Sequence, residues 1–195
     1  MQPRIDTWFP KSIYILDDLF LDKLNQFESD IKDVISQSGV YKNEFLTVES
    51  THRTMSKLHT LPAFTDLAIE VLKNAKIFLT EMGWNINIID RLEIGSMWTN
   101  VSKAGEFVMP HIHPGSILSG VFYVKKYEGS RITFFNDVYD MIPFEGNYNG
   151  LSNTGCFYDC EPGRLMLWKS NLLHGTEMQP DGEKIVISFN LSFCS

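Results

Sequence analysis

Cysteine is scarce in this chain. Cys156, Cys160 and Cys194 are odd in number and contain no C-x-x-C pair, so a disulfide framework is not indicated and a reducing compartment is expected. Long apolar runs are also missing: no stretch approaches the roughly 20 residues that span a bilayer. Met1 to Pro10 has no basic start followed by an apolar segment, so no targeting sequence is read there. A soluble, cytoplasmic protein without a membrane partner is the expectation. Positive charge is in deficit, with 17 Lys and Arg against 24 Asp and Glu and a net charge of -7. No basic run or helix face reverses that balance locally, which argues against nucleic acid as a partner. The sequence shows no internal repeat and no low-complexity tract.

What is present suits a folded enzyme-sized unit. The 195 residues are 44% hydrophobic, 21% charged and 13% aromatic, enough to bury a core without staples and to fill or line a cavity with rings. We expect one domain over 1–195, with a helical support region at 1–84 and a β-rich core at 85–195. In the first region, Phe20, Leu24, Phe27, Ile31 and Val34 recur at helical spacing after Asp17 and Asp18, up to Gly39. Phe64, Ala68, Val71, Ala75, Phe78 and Met82 repeat the pattern from Thr60 and Pro62 to Gly83.

From Asn85 onward the pattern changes to short β-rich runs: 86–100, 107–113, 117–125, 131–135, 164–168, 174–178 and 184–193. Two helices followed by closely spaced strands imply an α+β jelly roll or related double-stranded barrel. The stretch 136–161, rich in Gly, Asn, Tyr and Asp, reads as a long loop. Within it, 138–159, with Tyr139, Phe144, Tyr148, Phe157 and Tyr158, suits a lid over a substrate, with a plain exposed loop as the alternative.

The chemistry is concentrated in Met109-Pro-His-Ile-His-Pro-Gly-Ser116. On an extended segment, residues two apart share a side, so His111 and His113 can reach one metal ion. His174, in Leu172-Leu-His-Gly-Thr176, can supply a third ligand from another part of the sheet. Three ligands on one face leave positions open for other groups, yet imidazole suits iron, zinc, copper and nickel alike. In the last strand, Ile185, Ile187, Phe189 and Leu191 form an apolar face, which turns Lys184, Ser188 and Asn190 the other way. A Lys facing a barrel interior is costly unless an anion meets it, and a carboxylate ligand would do so. Ser119 and Tyr123 share a face and can add hydroxyl donors, while Asn100 and Trp98 can form a further wall. Cys156 and Cys160 are read as free thiols, and His52 and His59 as lying outside the site.

These segments resemble the 2-oxoglutarate- and Fe(II)-dependent oxygenases related to prolyl hydroxylases. The resemblance is carried by His111-Ile-His-Pro-Gly-Ser116, Leu118 to Val124, Ile132-Thr-Phe-Phe135, Pro162-Gly-Arg-Leu-Met-Leu-Trp168, Leu173-His-Gly-Thr176 and Ile187-Ser-Phe-Asn190. It covers the half of the chain from Trp98 to Phe193. It implies a double-stranded β-helix, Fe(II) held by His111 and His174, and 2-oxoglutarate as co-substrate. It also implies a basic residue about ten positions past the distal His, which Lys184 supplies, binding the far carboxylate. Two departures stand out. His113 occupies the position where relatives carry Asp or Glu, and Lys184 is followed two residues later by Val186 rather than a hydroxyl residue, a gap that Ser188 or Tyr123 can fill.

The implied reaction consumes O2 and 2-oxoglutarate, releases succinate and CO2, and hydroxylates a substrate that the sequence does not name. Two alternatives stay open: a three-His cupin-like dioxygenase independent of 2-oxoglutarate, and a non-catalytic jelly-roll binding module. The oligomeric state is not legible.

Overall fold

A computed structural model describes residues 4, 10–44, 46–136 and 153–194. Both helices expected from periodicity form: α1 (Leu24–Ser38) buries Phe27, Ile31 and Val34, and α2 (Thr65–Glu81) buries Leu67, Val71, Ala75 and Phe78 on one stripe. The first begins later than its acidic pair suggests. Asp18 and Phe20 take positive φ angles of 62° and 54°, a left-handed backbone that cannot propagate a right-handed helix. Tertiary contacts hold this turn: the Phe20 ring packs edge-on against Phe27 and Phe122 at 5.9 and 6.5 Å. Asp17 accepts from the Arg164 guanidinium at 2.6 and 3.3 Å.

The strands are β1 (Ile13–Leu16), β2 (Glu49–Ser50), β3 (Leu92–Lys103), β4 (Leu118–Lys125), β5 (Arg131–Phe135), β6 (Gly155–Asp159), β7 (Leu165–Lys169), β8 (His174–Thr176) and β9 (Glu183–Phe193). They form a six-stranded sheet in the order β1-β7-β4-β9-β3-β2 and a three-stranded sheet in the order β6-β5-β8, with every pairing antiparallel. Mixed helix and sheet in this arrangement is the α+β, double-stranded β-helix architecture expected.

Alternation along the strands divides the core in two. Ile185, Ile187, Phe189 and Leu191 of β9 join Leu118, Phe122, Leu165 and Leu167 beneath α1 and α2. Val121, Tyr123, Met166, Trp168 and Val186 face the other way, toward Ile132 and Phe134 of the smaller sheet. Lys184, Ser188 and Asn190 share that inner side, as their parity requires.

Three sequence expectations need correction. Residues 86–89 form a short helix, α3 (Ile86–Ile89), because the Asn85 side chain accepts from the Asn87 amide at 2.9 Å and caps it. Residues 107–113 are not a strand. Pro110 and Pro114 remove two donors, and only the isolated bridges Leu46–Val108 and His111–His174 remain. Part of the expected loop 136–161 is instead strand β6, zipped to β5 from Arg131–Asp159 to Phe135–Gly155. Short edge strands β1 and β2 carry too few residues to show alternation. Of the lid expected at 138–159, Tyr139, Phe144 and Tyr148 lie outside the described residues.

Candidate metal centre

The bridge between His111 and His174 builds the centre. The His111 amide donates to the His174 carbonyl at 2.9 Å, and the His174 amide returns a bond to the His111 carbonyl at 3.1 Å. Gly175 permits this approach, since a Cβ there would lie 2.9 Å from the Val108 carbonyl oxygen and 3.0 Å from the Pro110 nitrogen. His113 is fixed separately, its amide donating to the Ser170 carbonyl at 2.9 Å. The three rings converge, with centroids 4.8, 4.5 and 5.2 Å apart. One ligand nitrogen from each lies within 4.8 Å of the others.

Hydrogen bonds decide which nitrogens are available. The Nδ1–H of His111 donates to the Met109 carbonyl and that of His174 to the Leu172 carbonyl, both at 2.8 Å. The Nδ1 of His113 is engaged by the Asn190 amide at 3.3 Å. His111 and His174 therefore keep an unprotonated Nε2 for a cation, and Nε2 is the nitrogen of His113 without a partner among the described residues. Burial pulls His174 down to about 3, reinforced by His111 and opposed by the Leu172 carbonyl. Burial, with His111 and His52 nearby, pulls His113 down to about 4. His111 is lowered by burial as well. Near neutral pH all three rings are unprotonated, the state a metal requires. Neutral nitrogen donors on one side of an open cavity fit divalent iron.

The centre lines a cavity of about 720 Å³. Lys184 is only 3% exposed and reaches this cavity, and among the described residues no ion pair involves it. Burial lowers its pKa, opposed by the nearby Cys160 thiol. Tyr123, also buried and lining the cavity, is hydrogen-bonded to Cys160, and burial raises its pKa. The Trp168 indole N–H is a second orphan, buried without a partner, with its ring edge-on to His174 at 4.7 Å. A buried cation and a buried donor without acceptors favour an anionic, oxygen-rich ligand beside the histidines.

All five residues expected to bind the co-substrate line the cavity: Lys184, Tyr123, Ser188, Asn100 and Asn190. Among the described residues, Lys184 alone of the five has no hydrogen-bond or ion-pair partner. With its amide oriented to satisfy both ends, Asn100 donates to the Ser50 hydroxyl at 2.6 Å and accepts from Trp98 Nε1 and the Ser188 hydroxyl at 3.3 and 3.2 Å. Asn190 accepts from the Ser119 hydroxyl at 2.8 Å. His52 differs from expectation, since it lines the cavity with its ring 4.3 Å from Trp98, while His59 does not line it. The polar run 51–54, a turn held by the Thr54 amide on the Thr51 carbonyl, carries no periodic signal that could have placed His52 there. Cys156, Cys160 and Cys194 are free thiols.

Two antiparallel sheets enclosing a metal-competent cavity define the double-stranded β-helix class. A family model described as "Putative 2OG-Fe(II) oxygenase" matches residues 96–190, a span that holds all three histidines and Lys184. Solved structures of similar fold include a prolyl-4-hydroxylase from Pseudomonas putida, with 11% identity over 95% of this chain and 94% of that one and a TM-score of 0.67. The α-ketoglutarate-dependent epimerase SnoN from nogalamycin biosynthesis has 10% identity over 94% and 79% of the two chains, with a TM-score of 0.67. HygX from Streptomyces hygroscopicus, solved with nickel and 2-oxoglutarate bound, has 11% identity over 93% and 83%, with a TM-score of 0.62. The comparison with curated proteins gives no match.

Proposed function

We propose that this chain is a 2-oxoglutarate-dependent Fe(II) dioxygenase in which His111, His113 and His174 hold the metal and Lys184 holds the co-substrate. The observation that carries this reading is the pairing of three convergent, neutral imidazoles with an unpartnered, buried ammonium group in one cavity. Iron so held supplies the O2 activation that couples oxidative decarboxylation of the keto acid to oxidation of a substrate C–H bond. The balance is substrate–H plus O2 plus 2-oxoglutarate, giving substrate–OH, succinate and CO2.

The protein's part is positioning. Lys184 donates to the distal carboxylate, which removes the cost of its burial, and the Tyr123 hydroxyl, which lines the same cavity, would donate to that group by turning from Cys160. Three neutral ligands balance differently from a set with a carboxylate. Iron(II) and the dianion cancel, leaving the positive charge of Lys184. Among the described residues no Asp or Glu lines the cavity, so a cationic substrate would meet repulsion without a partner. Leu46, Val108 and the exposed Met109 and Ile112 in the lining suit an uncharged substrate with an apolar body. No helix of the described residues is long and apolar enough to cross a membrane, and free thiols suit a cytoplasmic setting.

Incubation with Fe(II), 2-oxoglutarate and O2 tests the reading. Slow succinate formation without added substrate, abolished in His174→Ala, is expected. A wild-type enzyme that consumes O2 with candidate substrates yet forms no succinate would instead favour a dioxygenase independent of 2-oxoglutarate.

A further inference from the structure

His111 and His174 are anchored alike: each Nδ1–H donates to the carbonyl two residues earlier in the chain, at 2.8 Å. His113 is anchored differently. The carbonyl two residues before it belongs to His111, and the His174 amide occupies it at 3.1 Å. Its Nδ1 turns instead to the side chain of Asn190, at 3.3 Å. That amide is part of a buried chain. The Ser119 hydroxyl donates to Asn190 Oδ1 at 2.8 Å and lies 2.8 Å from the Ser170 hydroxyl. Ser119 and Ser170 are each 1% exposed and Asn190 8%. Ser170 also holds His113 through its own backbone carbonyl, at 2.9 Å.

Direction along this chain matters. With Asn190 presenting its NH2 to the ring, Nδ1 of His113 acts as acceptor, so the neutral imidazole keeps its proton on Nε2, the atom that must face the metal. A cation on Nε2 requires the proton on Nδ1, and Nδ1–H then needs an acceptor. Asn190 can supply one by turning its amide over. Oδ1 then accepts from His113, Nδ2 donates to the Ser119 hydroxyl, and Ser119 in turn donates to Ser170. No buried group of the amide is left unsatisfied in either direction, because hydroxyls donate and accept equally well.

We infer that Asn190 is the positioning residue of His113, and that its amide, together with the Ser119–Ser170 chain, reverses direction when metal binds. This rests on His113 being a ligand, and it moves Asn190 from the co-substrate to the metal. The Asn fits a ligand set in which the usual acidic position holds a histidine: it gives that imidazole an outer partner that adapts to both proton placements.

The test uses the full-length protein titrated anaerobically with Fe(II) and with Co(II), alongside Asn190→Leu and Asn190→Asp, which match the native side chain in shape. Asn190→Leu should weaken metal binding by about 10- to 100-fold, the usual effect of losing an outer-sphere partner. Asn190→Asp should restore or tighten binding and lower the Fe(III)/Fe(II) potential, because a carboxylate accepts from Nδ1–H and enriches the ring. A purely structural role would make both variants fall together, and that result overturns the proposal. Should either variant fail to fold, Ser119→Ala removes only the amide's far anchor and should still weaken binding several-fold, by loss of one neutral hydrogen bond; unchanged affinity would count against it. Imidazole 15N shifts read the reversal directly: the His113 proton is expected on Nε2 in metal-free protein and on Nδ1 with Zn(II), and a proton on Nδ1 in both overturns it. Absence of metal binding in the wild type would instead reject the three-histidine centre itself.

Discussion

Lys184 shows most clearly how a single residue signals function against stability. An unpartnered ammonium group only 3% exposed is a standing cost to the fold, tolerated where a ligand completes it. Lys184→Met keeps the length and removes the charge. Without 2-oxoglutarate this variant should be more stable than the wild type by on the order of 1 kcal/mol, a rise in Tm of roughly 2–4 °C. Its 2-oxoglutarate requirement should increase by about 10- to 100-fold, as expected for loss of a charged hydrogen bond. Thermal melts with and without the co-substrate read both effects, and a destabilised variant with unchanged co-substrate dependence would contradict the assignment. Parity along β9 made this residue visible in the sequence. His52 was invisible because its placement against Trp98 comes from a turn with no periodicity.

At the scale of elements, what was legible followed from repetition. α1, α2 and β9 each carry a sustained apolar period, and the structure places their buried residues accordingly. Elements held by single tertiary contacts left no such trace. The segment 107–113 reads as a strand in the sequence, but Pro110 and Pro114 break its ladder, so His111 reaches the centre through one bridge and not through a sheet. β6 is legible only from its partner, β5. The bridge depends on Gly175, where any side chain would press on the Val108 carbonyl and Pro110. Gly175→Val should therefore cost about 1–3 kcal/mol of stability through overpacking. It should also weaken metal binding, because His111 is displaced from His174. Isothermal titration with metal checks this; full affinity in a folded Gly175→Val protein would show that the bridge does not set the spacing.

For the whole molecule, the centre couples folding to pH. In the folded chain His113 sits at about 4 and His174 at about 3, both lowered mainly by burial, whereas in the unfolded chain each should titrate near 6.5. A depressed folded value means that the unfolded state takes up protons first. The stability is therefore complete above about pH 6.5 and is lost as pH falls through the window toward about 4 and 3. The Tm of the metal-free protein should decline from about pH 6.5 downward, and His174→Phe should flatten part of that decline; a Tm indifferent to pH across this window would contradict the burial argument. Bound metal raises the stability of the folded state at any pH where the rings are neutral.

Six strands backed by two helices, with the smaller sheet closing over the cavity, place residues from 111 to 184 around one centre, and we read 1–84 as support for the core at 85–195. An anaerobic Fe(II) titration of the full chain tests that placement most directly. One ion bound per chain is predicted, with binding lost in His111→Ala and in His174→Ala while both variants remain folded. Undiminished Fe(II) binding in either variant, or none in the wild type, would contradict the account.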